Sequence, residues 1–172
     1  MWPLSGNGGT WLWAKVVWGR WPEAAGTFLW KAKLPGKVRV FAWRLCKQAL
    51  PIGFNLRRRH LQVHDGCPQC FVEVEDVYHV MLGCHFARQT WALTNLPWLT
   101  IENWGNNAKC WLRQLHRNVE AWEYGFALVV AWKLWHCHNL VLMENRIRSP
   151  WEVAQASRTF LHFLRERLWR EI

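Results

Sequence analysis

With 172 residues, 51% hydrophobic and 20% charged, the chain is long and apolar enough to bury a core, which excludes an intrinsically disordered segment. Its formal net charge of +10 favours an acidic partner, either nucleic acid or an anionic membrane surface. Met1-Trp2-Pro3-Leu4 lacks a basic stretch backed by a long apolar run, so the expected location is intracellular, nuclear or cytoplasmic, and not secreted.

Residues 1–26 are rich in Gly and Trp, show no clear period and form a first segment, with a short helix expected near 11–18. Thr27-Phe28-Leu29-Trp30, extended or helical, leads to the break at Pro35-Gly36. Beyond it Val38, Phe41, Ala42, Leu45 and Ala49 recur at three- and four-residue steps, which marks the buried face of a helix that Pro51 stops. Lys37, Arg44 and Lys47 fall on the other side. Phe54–Leu61 reads as a second short helix with Asn55 as its candidate N-cap, and it carries Arg57-Arg58-Arg59. A loop over 64–72 holds Cys67-Pro68-Gln69-Cys70.

Helices are expected next at 74–82 and 84–94, then, after a linker with Pro97, at about 101–116, 119–144 and 150–170. The last has Ser149 as N-cap, Pro150 at the first helical position and Glu152 to complete a capping box. Tyr124–Trp135 is the most apolar stretch. Lys133 interrupts it, it falls short of the roughly 18 clean residues of a membrane span, and it reads as a buried helix. No segment alternates with period two. The expected fold is therefore all-α, a small helical domain of about six helices, divided into segments 1–26, 27–94 and 95–172.

The most specific chemistry is Cys67-x2-Cys70-x8-His79-x4-Cys84. A Cys-x2-Cys turn lets two thiolates face one point, and an added imidazole and third thiolate complete a tetrahedron with no open position. That predicts one structural Zn2+ in a knuckle between the second and third helices. His79 and Cys84 are five residues apart, which is about 140° off-face on an α-helix of 3.6 residues per turn. Gly83 is expected to resolve this by taking a positive φ and swinging Cys84 back. His64 and His85 flank the cluster as substitute ligands, and Cys46, Cys110 and Cys137 read as core thiols.

The string from Trp30 through Pro35, Phe41-Ala42-Trp43, Leu50-Pro51, Asn55 to Arg59, Cys67-Pro68-Gln69-Cys70, Glu75-x3-His79-x4-Cys84 and Trp91 resembles the zinc-binding domain that follows the polymerase in plant LINE-type (non-LTR) retrotransposon reverse transcriptases. The resemblance covers residues 28–93 and implies zinc and a retroelement origin. Phe71 and His85 depart from it, where the family has a small residue and Pro.

Residues 31–60 carry Lys31, Lys33, Lys37, Arg39, Arg44, Lys47, Arg57, Arg58 and Arg59 with no acidic residue. Lys37, Arg39, Arg44, Lys47, Arg57, Arg58 and Arg59 are the candidate phosphate contacts for RNA or DNA, and Trp43 is the candidate stacking platform. The competing reading is a solvated helix face on a structural spacer or protein-interaction module, docked on another part of a polyprotein, with Trp43 in the core. Surface attachment to a membrane through the 150–170 helix is a third reading. No paired carboxylates for a two-metal polymerase site, no phosphate loop and no nucleophile motif is found, so the chain is read as non-catalytic. Glu73, Glu75 and Asp76 are read as a charge cap at a helix N-terminus.

Overall fold

The computed structural model describes residues 33–63, 66–71, 75–97 and 102–168. The expected features at 11–18 and 27–30, and Lys31, His64 and Glu73, lie outside these residues. Among the described residues there are six α-helices, one π-helical turn and no strand, so the fold is all-α as expected.

Helix α1 (Gly36–Cys46) buries Val38, Phe41, Ala42, Leu45 and Cys46. It ends at Gln48, which takes a left-handed φ of 52°. The Gln48 and Ala49 amides then bond back to the Leu45 and Arg44 carbonyls at 3.0 and 2.9 Å, the reversed-turn closure usually built on Gly. Ala49 therefore lies past the helix. Helix α2 (Gly53–Arg58) starts two residues before Asn55. Asn55 is not its cap: its Nδ2 donates to the carbonyls of Gln48 and Leu50, both at 2.8 Å, and pins the α1–α2 loop.

The π-helical turn (His79–Gly83) runs into helix α3 (His85–Ala92). Helix α4 (Ala108–Asn118) begins later than expected, because Asn107 rather than the Pro97 linker sets its start: the Asn107 side chain accepts the Cys110 amide at 3.0 Å. Helix α5 (Ala121–Glu144) opens on a reciprocal Glu120–Glu123 capping box and closes at Asn145, at a φ of 51°. Helix α6 (Pro150–Leu168) has the expected box, with Ser149 Oγ accepting the Glu152 amide and Glu152 Oε2 accepting the Ser149 amide.

Helix α5 is the axle. It packs on α6, α1, α4 and the π-helical turn, and every residue from Tyr124 to Ala131 is buried. It extends to Glu144, so by length and composition it is apolar enough to cross a membrane, although half of its most apolar window is buried inside this molecule. Trp91 and Trp111 are the largest side chains fully buried in the core, edge to face at 6.3 Å. Burying an indole is favourable only if its N–H is satisfied, and Trp91 Nε1 donates to the Met81 carbonyl at 2.7 Å. That bond holds α3 against the π-helical turn, the element that carries one of the candidate ligands.

Candidate metal centre

Cys67, Pro68, Gln69 and Cys70 form a tight turn closed by the Phe71 amide on the Cys67 carbonyl at 2.7 Å. Phe71 completes it at a φ of 62°, with its ring 83% exposed. The departure from a small residue thus leaves the turn geometry intact, at the steric cost a Cβ incurs in left-handed backbone. Asp76 Oδ1 accepts the His79 amide at 2.7 Å and caps the next helical segment.

The His79-x4-Cys84 step is solved differently from the expectation. Gly83 is not among the residues of positive φ. Instead the chain widens into a π-turn, and the Cys84 amide bonds the His79 carbonyl at 2.7 Å. An i→i+5 bond places Cys84 above His79, where an α-turn would rotate it away. Gly83 matters for space: a Cβ there would lie 3.0 Å from the Tyr78 ring.

Four ligand atoms, one each from Cys67, Cys70, His79 and Cys84, lie within 4.8 Å of one another. Cys67 Sγ is 3.9 Å from Cys84 Sγ, and Cys70 Sγ is 3.1 Å from His79 Nε2. Zn–S bonds of about 2.3 Å and Zn–N bonds of about 2.0 Å give tetrahedral edges of roughly 3.5–3.8 Å, so the donor set fits one zinc ion. Cys67 and Cys84 are buried, while Cys70 and His79 are half-buried. Burial holds the His79 imidazole below its ordinary value, against the pull of Asp76 and Glu75, which keeps it neutral and able to ligate. The two buried thiols hold their protons with unequal strength. The hydrogen bond that Cys67 donates to Cys84, together with burial, pushes the Cys67 thiol up to about 12, and the same bond lowers Cys84.

Two residues that the sequence reading did not place at the centre brace it. Glu75, read from the sequence as a charge cap at a helix N-terminus, does meet one, but that of α2: it is only 1% exposed, and its Oε1 accepts the Gly53 amide at the start of α2 at 2.8 Å. The same oxygen lies 2.9 Å from Nε2 of His138 on α5, itself 2% exposed, an ion-pair contact not aligned as a hydrogen bond. His138 also interacts with Cys67. Burial pulls its imidazole down, but the contacts with Cys67 and Glu75 outweigh that and push it up to about 9. The metal loop, α2 and α5 thus meet at one buried carboxylate.

The substitute ligand His85 is exposed and outside the four-residue group. Cys46 and Cys137 are core thiols, whereas Cys110 is only half-buried. The candidate nucleic-acid residues divide by exposure. Lys37, Lys47, Arg58 and Arg59 are exposed. Arg39, Trp43, Arg44 and Arg57 are half-buried, and burial lowers the Arg39 guanidinium. Arg57 Nη1 and Glu75 Oε2 crowd the same spot, each 3.2 Å from where a Cβ on Gly53 would sit.

Residues 10–91 match the family described as zinc-binding in reverse transcriptase. The four ligands fall inside that span. This segment carries the zinc-binding domain of reverse transcriptases. The match begins well before residue 28, where the resemblance noted above starts. A protein of Arabidopsis thaliana named as a ribonuclease H protein is 27% identical over 144 residues, which is 74% of this chain and 22% of that one. The chain therefore spans about a fifth of that relative's length. No solved structure matches. His138, which braces the domain's metal centre, lies outside the matched residues.

Proposed function

We propose that the chain is a non-catalytic, zinc-stabilised module of a retroelement reverse transcriptase polyprotein, and that it binds RNA or DNA through the basic surface of α1 and α2. Zinc, once bound, holds the two halves of the knuckle together; the chain's own residues do the recognising. One observation carries the reading: of the nine cations in the acid-free stretch, Lys37, Arg39 and Arg44 lie in α1 and Arg57 and Arg58 in α2, and α2 is held to the metal loop through Glu75. Fixing cations on a rigid frame lowers the entropic cost of meeting a phosphate backbone.

The half-burial of Arg39, Trp43, Arg44 and Arg57 favours the second reading, a spacer that docks on another part of the polyprotein. Titrating zinc-loaded protein with single-stranded RNA and DNA at several salt concentrations separates the two. Salt-dependent binding of wild type, weakened when Lys47, Arg58 and Arg59 are replaced by Gln, is the expected result. Absence of binding at low salt would leave the spacer.

A further inference from the structure

Lys37 Nζ lies 4.7 Å from the ring centre of Trp132 and 5.1 Å from that of Phe160. Lys133 Nζ lies 5.1 and 5.6 Å from the same two rings. The rings themselves are 5.6 Å apart, and the His136 imidazole stacks on Trp132 at 5.9 Å and 16°. Three helices, α1, α5 and α6, thus bring two ammonium groups and an imidazole onto one aromatic shelf. Lys37 and His136 are exposed, and Lys133, Trp132 and Phe160 are half-buried.

Ring faces attract each cation but do not neutralise it. Among the described residues no carboxylate pairs with Lys37 or Lys133. Like charges gathered on the same two rings repel. Burial lowers Lys133, with Lys37 adding to it, and lowers His136, with Lys133 and Lys37 adding to it. An incoming anion would relieve all three. A carboxylate or a free phosphate would satisfy the charge and leave the flat Trp132–His136 stack unused. A phosphodiester strand with unpaired bases uses both.

We infer that the Lys37–Lys133–Trp132–His136–Phe160 shelf is a docking surface for a single strand of nucleic acid, with the lysines on phosphates and the indole–imidazole stack under a base. This rests on the nucleic-acid reading above and adds a landing point in which α5 and α6 join Lys37 of α1. The sequence hid it, because Lys133 reads there only as an interruption of the apolar stretch Tyr124–Trp135.

The test uses zinc-loaded full chain with a 20-nucleotide oligo(dT) and oligo(rU). Each phosphate contact on a single strand contributes about 0.7 to the slope of log affinity against log salt. The Lys37→Gln/Lys133→Gln variant is expected to flatten that slope by about 1.4, with zinc content and helicity unchanged. A bromouridine-substituted strand irradiated on wild type, which needs no variant, is expected to crosslink to the peptide containing Trp132 and His136. Wild-type binding with an unchanged slope in the variant, or crosslinks confined to other peptides, overturns the shelf and spares the functional reading. No salt-dependent binding by wild type overturns both.

Discussion

Glu75 and His138 show how a few side chains decide the character of a site. A buried carboxylate is tolerable only with partners, and Glu75 has the Gly53 amide and the His138 imidazole. Removing one member of such a pair leaves the other charged in a dry place. His138→Ala is therefore expected to destabilise the protein by about 3–5 kcal/mol and to weaken zinc binding by about 10–100-fold. Chelator competition measures the second effect, and cobalt-loaded protein gives an independent readout. Loss of the interaction with Cys67 should shift the thiolate-to-cobalt absorption band, which a purely global destabilisation would leave in place. His138→Gln, which retains a donor, should recover part of the affinity. The ligands themselves were legible in the sequence because their spacing is a local property. His138 was not: it sits on a largely apolar helix, and its partners Glu75 and Cys67 lie far away along the chain.

At the scale of elements, the Ser149 capping box was legible, whereas the Asn107 and Glu120 caps and the irregular turns were not. Ser149, Pro150 and Glu152 announce α6 through short-range chemistry, and the structure has that box. The π-helical turn has no comparable signature, since it arises where ligand geometry and the packing of Val80, Met81 and Leu82 override the α-helical repeat. Its one sequence trace is Gly83, which leaves room for the Tyr78 ring rather than for an unusual φ. Tyr78 in turn packs edge-on against Trp104 at 5.6 Å. Gly83→Val should push that ring off Trp104 and lower stability by about 1–3 kcal/mol, with zinc affinity falling in step. Thermal unfolding with and without zinc measures both. An unchanged Tm in both conditions would mean the turn has slack that these contacts do not show. Asn55 teaches the same lesson in reverse. A residue type suited to capping its own helix is used to tie down the preceding loop, because the carbonyls of Gln48 and Leu50 needed a donor more.

For the molecule as a whole, the metal ligands Cys67 and Cys84 belong to the same buried core as Trp111 and Leu128, but most of that core comes from other stretches of the chain. Trp111, Leu112, Leu115 and the α5 residues Leu128 to Ala131 are buried without touching the ligand loop in sequence. Small zinc fingers unfold when stripped because the metal is nearly all they have. Here a chelator should expose the 66–84 region and α2 to hydrogen exchange within seconds while the amides of Leu128–Leu134 stay protected. Simultaneous loss of protection everywhere would show that zinc and core form one cooperative unit. The two ends of the centre also differ in how they meet the solvent. Cys67 and Cys84 are 1% and 3% exposed, whereas Cys70 and His79 are half-open to water. The ion therefore has one door. A competing chelator, an oxidant or an incoming metal first engages Cys70 and His79, and the Cys67–Cys84 edge lets go last. Metal exchange should run in that order, its rate set by the outer edge and its equilibrium by the inner one.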